Sequence, residues 1–466
     1  MKLLALSVLP IVLNLLTALI SINIFTTEVF SQNSKISRSV FDAGFGIDRT
    51  SPNNVLKSII GQVLTGRILQ GNTRIENGFL ANLPRMTGQV QFVIRSNDTV
   101  TLGQDVDVSV SIFGANNVIG TLFYRKAGEQ SYKSDSLLRD TTGLAGKIPQ
   151  DFVTIRGVEY YVKFIVEGTI YTYPEANPEI HPEVISVRVN ILKSQVYSTD
   201  EKYKMISVPV ELNDSTISSV LNDDYGTYNS IVWRIFRWEK GKYHEYDTIN
   251  AKFTPGTAFW LITRTGASYD IENGQSVPSS QAYRIILDTG WNQIADPFAF
   301  PITWNSIALA HPDSVKGPYY YDGSQYQLGV STLLPWEGYF VKNNQASPET
   351  LSVPPLEANS FPEKKSNIMS LDKGNEYQLQ ISAEIPQLHL KDSYNYVGLL
   401  QSANNGEDKY DYPEPPPIGD YVQLSIVDGG EQFMTNYKPI PTDGQHWEVQ
   451  ISSTKPSQKV QITLTE

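Results

Sequence analysis

The chain has 466 residues, enough for about three or four domains of roughly 100–200 residues each, and its 40% apolar and 11% aromatic content excludes wholesale disorder. A net charge of −12 argues against nucleic acid and anionic membrane surfaces as partners, since both select basic patches; divalent cations suit it better. Cysteine is absent, so stability has to come from domain size, sheet packing or bound ions rather than disulfides.

The first element in chain order is an export signal. Lys2 precedes a long apolar run from Leu3 to Phe25, and Val29-Phe30-Ser31 offers a small residue for cleavage. The run is long enough that an uncleaved membrane anchor is the rival, but Pro10 and Asn14 interrupt it. Residues 1–31 are therefore expected to be a signal peptide. No second apolar run approaches spanning length, so no membrane span is expected after its removal. Residues 32–86 are polar and glycine-bearing, with short strands expected at 58–66 and 77–80. The Gly61 segment lacks the Gly-Lys-Ser/Thr ending of a phosphate loop.

Residues 88–192 carry the cleanest alternation. Val106, Val108, Val110 and Ile112 share one face of an extended strand; Asp105, Asp107, Ser109 and Ser111 share the other. Further runs at 122–125, 153–154, 158–164 and 185–189 are separated by turn residues. That spacing fits a two-sheet sandwich of the fibronectin III or immunoglobulin kind, and the missing Cys–Trp–Cys core favours the former. The proline-bearing stretch 172–182 is expected as a stiff crossing loop, with His181 a loop residue.

The next stretch, 200–355, is written twice, in copies at about 203–265 and 284–345. The first runs from Met205-Ile206-Ser207-Val208-Pro209 through Trp233-Arg234-Ile235-Phe236-Arg237-Trp238 and Gly241-Lys242-Tyr243 to Pro255-Gly256-Thr257-Ala258-Phe259-Trp260. The second runs from Trp291-Asn292-Gln293-Ile294-Ala295-Asp296-Pro297 through Tyr319-Tyr320-Tyr321-Asp322-Gly323-Ser324-Gln325-Tyr326 to Pro335-Trp336-Glu337-Gly338-Tyr339-Phe340. A duplicated β-rich unit is expected, each half too small to bury its own apolar face. Short helices are expected at 215–221, capped by Asn213 or Asp214, and at 305–310. A polar linker at 356–375 and a C-terminal β-sandwich at 376–466 complete the chain, with 447–451 and 460–464 expected to form a terminal pair. The whole reads as an all-β protein of several β-sandwich modules with little helix.

Three constellations could carry chemistry. Seven aromatic residues of the duplicated unit, Trp233, Trp238, Tyr243, Trp260, Tyr321, Tyr326 and Trp336, with Tyr319 beside them, could form a platform for sugar rings or protein partners; alternation along 233–238 splits them between faces, so some must be core. An acidic loop from Lys391 to Asp420 holds six acids and two lysines, net −4. Its oxygen donors Asp392, Asn395, Asp408, Asp411 and Glu414 are the ligand types calcium takes, though the spacing matches no EF-hand, and a solvated loop is the alternative. Calcium is the one cofactor the sequence brings into question. The five histidines are scattered, with no HExxH pair and no Gly-x-Ser-x-Gly elbow. A glycosidase needs only two carboxylates, whose distance is a tertiary property.

With these residues in view, the chain resembles the large, cysteine-free, multidomain exported surface proteins that are type IX secretion substrates. The resemblance rests on the 205–209 opening, the 233–238 strand, the 255–260 and 291–294 segments, and the 392–398 and 408–416 segments, and covers residues 88–466. The sorting module such proteins carry is not seen here. The resemblance implies surface, adhesion or matrix roles and no catalytic residues. The expected function is an exported, elongated, non-enzymatic surface or extracellular interaction protein, binding protein or glycan partners through exposed aromatics and strand edges. A carbohydrate-binding or calcium-stabilised accessory protein of polysaccharide degradation is the alternative, and a glycoside hydrolase the third reading.

Overall fold

The computed structural model describes the backbone from Phe45 and side chains from Val93. Outside the described residues lie 1–44 and, further on, 52–53, 60–65, 71–72, 78–84, 88–89, 114, 116, 141–142, 195–200, 250, 265–267, 312–313, 359–376 and 442. The expected signal peptide and most of the 58–66 and 77–80 runs therefore fall outside. The chain divides into two compact units, residues 1–93 and 94–466. In the first, the strands Phe45–Ser51, Asn54–Ile59, Gly66–Gln70 and Thr73–Asn77 form an antiparallel meander in sequence order.

The second unit is all-β, in several sheets. Its helices among the described residues are Ile217–Tyr225 and Trp304–Ala308, besides three-residue 3₁₀ turns. The Val106 alternation forms the strand Val106–Phe113, which pairs with Gly143–Ile148. A second sheet pairs Val118–Lys126 with Val158–Val166, and that strand with Glu183–Lys193. Lys133–Arg139 joins both sheets, pairing with Val118–Lys126 along one part and with Gly143–Ile148 at its end. Thr99–Thr101 runs parallel to Glu183–Lys193. Val106, Val108, Val110, Leu122, Tyr160, Val162 and Val187 are all buried between them.

The strand Glu183–Lys193 does not stop at the sandwich. From Arg188 onward it pairs with Asp270–Ser276, which in turn pairs with Val210–Leu212, so one ladder carries the sandwich into the next module.

That module contains two four-stranded sheets of the same strand order. The first runs Lys204–Ser207, Ala258–Thr263, Trp233–Glu239, Lys242–Glu245 across the sheet; the second runs Gly290–Ala295, Gly338–Asn343, Val315–Tyr321, Tyr326–Gln327. Each has its short helix at the same place in the order. Thr216, not Asn213 or Asp214, caps the first helix: its Oγ1 accepts from Ser219 N, because the Asp214 carboxylate is engaged by Thr216 N. Contacts between the halves are reciprocal. Ser207 N donates to Trp336 O at 3.1 Å, and Ala295 N donates to Gly256 O at 3.0 Å. Ile206 bridges Glu337, and Thr257 bridges Ile294. Setting Pro209 on Pro297 and Pro255 on Pro335 makes each contact the counterpart of the other, which is what a two-fold axis generates. Gly256 and Trp336 then correspond, and both have left-handed backbones, with φ of +80° and +72°; the second half holds a tryptophan where an L side chain is strained.

The C-terminal module is a sheet ordered Glu448–Ser453, Val422–Asp428, Glu431–Lys438, Leu390–Leu399, Tyr377–Ile385, Gln461–Thr465, curled around Ile381, Ile385, Val397, Leu424, Ile426 and Phe433. Two expectations are corrected. The last two strands do not pair with one another; they lie at opposite ends of the sheet, each on its own partner. The segment 392–398, expected within an acidic loop, is a strand buried on both faces. The expected linker opens on docked residues: Glu357 N donates to Gly128 O, and Glu357 takes the Arg156 guanidinium in two bonds of 2.9 and 2.8 Å.

Candidate functional site

The aromatic set turns inward. Trp233, Trp260, Tyr319, Tyr326 and Trp336 are buried, and Trp238, Tyr243 and Tyr321 are half-buried in packed clusters. Of the two readings, ligand platform or core, their packing fits the core: these rings lie against protein. The reason lies in the matching sheets, which meet face to face and pair their rings reciprocally. Trp260 lies edge-on to Tyr321 at 5.1 Å and Phe340 to Trp238 at 6.4 Å, while Trp238–Tyr243 and Tyr321–Tyr326 repeat one contact within each half at 4.8 and 5.2 Å. Such edge contacts add about 0.5–1.5 kcal/mol per pair beyond area burial.

One end of this aromatic seam is closed by the C-terminal module. Its Tyr394, Tyr412, Ile418 and Met434 join the same cluster, beside Tyr203 of the first half. The Tyr243 and Tyr326 hydroxyls, counterparts in the two halves, both donate to the Pro416 carbonyl, at 3.0 and 2.8 Å. Prolines 415–417 hold this segment extended because their rings fix φ and remove donors. Burial pushes both hydroxyls well above the ordinary tyrosine range, so they remain donors.

Beside this junction lies a small, half-open cleft of about 40 Å³. The second half contributes Tyr321, Ser324, Gln325 and Tyr326; the C-terminal module contributes Lys391, Asp392, Glu414, Tyr421 and Gln423 among others. Asp392 is placed by a bulge in its strand, opposite Ile381 to Ala383, where Ser393 donates through N and Oγ to Gln325 Oε1. Asp392 Oδ2 accepts from Leu424 N at 2.7 Å. Glu414 is set by its backbone bond to Gln432 O, and its Oε1 accepts from Gln423 Nε2 at 3.0 Å. Its Oε2 is buried without a partner, as are both polar atoms of Asn395, whose residue is fully buried. Burial first, and then the Asp392 charge, holds the Glu414 carboxyl well above its ordinary range; burial lifts Asp392 as well. Two buried carboxylates facing one cleft can hold a cation, accept from hydroxyls, or exchange a proton.

The five expected calcium ligands do not form one site. Asp392 and Glu414 line the cleft, with Asn395 across the bulge, whereas Asp408 and Asp411 are spent on a turn. Asp408 accepts from Asn404 N and Tyr410 N; Asp411 accepts from Asp408 N, Tyr437 N and Asn436 Nδ2. Donors satisfied locally are lost to an ion. Sequence reasoning missed Gln325, Tyr421 and Gln423, which come from two segments far apart in the chain. A separate acidic group, Asp223, Asp224 and Asp270, is also close enough to hold an ion, but Asp224 Oδ2 already accepts from Asp270 N at 2.7 Å. His311 is engaged by Glu349. No protein-family model matches the chain, and no curated protein matches it.

Proposed function

We propose that this is an exported, non-enzymatic protein of the cell surface or extracellular space, acting as a structural and interaction module for protein or glycan partners. The observation that carries the reading is the inward turn of the aromatic set, which makes the rings mortar between the two halves and the C-terminal module. The apolar start of the chain supports export. The shared strand order and reciprocal contacts of the two sheets support an ancestral duplication. A fibronectin III or immunoglobulin-like assignment of the first sandwich is supported by two sheets sharing one strand, with a short strand parallel to the last. The resemblance to type IX secretion substrates belongs to the same proposal.

Partner binding falls to strand edges rather than rings. In Gln461–Thr465 all five residues are exposed, and the strand is paired on one side; an open edge is a template for another strand. The test is a pull-down of surface extract and a glycan array with the mature chain, beside a turnover assay on polysaccharides. Capture of a surface component without turnover is expected; saturable hydrolysis would overturn the proposal. A second reading, a glycan-binding accessory module, is favoured by the cleft, where Tyr321 and Tyr421 stand beside two carboxylates. The array separates the two.

A further inference from the structure

We propose that the cleft between Asp392 and Glu414 is a binding site for a hard divalent cation, calcium by its donor chemistry, and that the ion locks the C-terminal module onto the second half of the duplicated unit. The proposal does not rest on the function argued above. It starts from a buried group without a partner: Glu414 is 9% exposed, lines the cleft, and leaves Oε2 unbonded while Gln423 fixes Oε1. A second carboxylate, Asp392, is 8% exposed and reaches the same space from another strand; its Oδ2 accepts from Leu424 N, and the Tyr394 backbone and the Asn395 amide lie close to the carboxyl. Three residues along that strand, Asn395 carries an unpartnered amide at full burial.

The charge balance selects the occupant. Two carboxylates in one enclosure repel anions, and a neutral polyol supplies hydrogen bonds but no compensating charge. Lys391 stands in the lining, but its residue is exposed. The charged donors are carboxylate oxygens, joined by the Gln423 amide and the Ser324 hydroxyl, with no His or Cys in the lining and Met434 as its sulfur; that predominantly hard set suits calcium or magnesium rather than zinc or copper. The donors also come from separate segments; calcium tolerates irregular coordination completed by water, whereas magnesium demands a near-ideal octahedron.

The probes are Ca²⁺, Mg²⁺ and the luminescent surrogate Tb³⁺, titrated into the full chain. Tyr321, Tyr326 and Tyr421 line the cleft, so bound Tb³⁺ is expected to emit on tyrosine excitation, and Ca²⁺ to displace it in preference to Mg²⁺. Glu414→Gln and Asp392→Asn are expected to weaken calcium about tenfold or more, while Asp223→Asn and Asp408→Asn leave it unchanged. Calcium is expected to raise the melting temperature of the wild type, and chelator to reverse the rise. Should the cleft variants fail to fold, the wild type still decides: calcium must slow hydrogen exchange at the Gln423 and Leu424 amides. Equal calcium affinity in Glu414→Gln, no calcium effect on melting or exchange, or saturable binding of a neutral oligosaccharide lost in the same variants would each overturn the proposal.

Discussion

The reciprocal packing of the two halves makes a sharp prediction at Gly338. A Cβ added there would lie 2.5 Å from the Ala258 Cβ and 2.8 Å from the Met205 Cβ, where carbon atoms at rest sit about 3.5–4.0 Å apart. Gly338 and Ala258 are counterparts across the axis, so one methyl serves both. Gly338→Ala therefore overpacks the axis and is expected to destabilise by about 1–3 kcal/mol. Ala258→Gly removes the shared methyl, losing about 0.8 kcal/mol of burial and about 0.5–1 kcal/mol through strand backbone entropy. The double exchange moves the methyl from one half to the other. It relieves the 2.5 Å contact and leaves only the Met205 approach, so its destabilisation should fall short of the two singles added by about 1–2 kcal/mol. Urea unfolding followed by tryptophan fluorescence measures this, because six of the seven tryptophans lie between residues 233 and 336. Effects that add to within about 0.5 kcal/mol would refute the shared methyl, and with it the close-packed axis.

Three further outcomes are expected. Asp296 is fully buried with Oδ2 unpartnered, at the position where the first half has the core residue Val208, and burial holds its carboxyl well above the ordinary range. The folded state thus binds the proton more tightly than the unfolded chain, so this contribution to stability is full below the unfolded value near pH 3.9 and is lost as pH rises through the folded one. Asp296→Asn should gain on the wild type as pH rises above about 4; parallel melting profiles would count against it. Thr216→Ala removes the helix cap and should lower stability by about 1 kcal/mol, read in the same urea assay, with Thr216→Ser close to wild type. Arg156 and Glu357 form a two-bond ion pair with side chains 15% and 27% exposed, and Arg156 also lies over the Phe300 ring at 4.7 Å. A double-mutant cycle to Ala should return a coupling of about 1–2 kcal/mol; a value near zero would refute the pair as a tie between the sandwich and the residues that follow it.

Much of the fold was legible because alternation is a local signal. Val106, Val108 and Val110 announce one buried face, and the paired Pro209/Pro297 and Tyr243/Tyr326 landmarks mark two sheets of one strand order. Where the structure departs from expectation, burial on both faces or long-range pairing is responsible. Tyr394, Asn395, Tyr396 and Val397 hide a strand because polar and aromatic residues are buried together. The last two strands look like a hairpin by proximity, yet each completes a different edge. The cleft was half legible: Asp392 and Glu414 stood out as acids, but nothing local separates them from Asp408 and Asp411, whose oxygens the turn consumes. Gln325 enters from another module, and only tertiary structure brings it there.

The bond from two tyrosines to the single Pro416 carbonyl has a consequence for stoichiometry. A seat lying on a local dyad looks the same from either side, yet it admits one occupant, because whatever sits on the axis blocks its own mirror placement. Doubling a sheet has thus produced not two berths but one, and a carbonyl, with a lone pair for each approaching hydroxyl, is matched to fill it. Were the chain cut ahead of the C-terminal module, that vacated berth would be open to the proline segment of one full-length neighbour, and to one only.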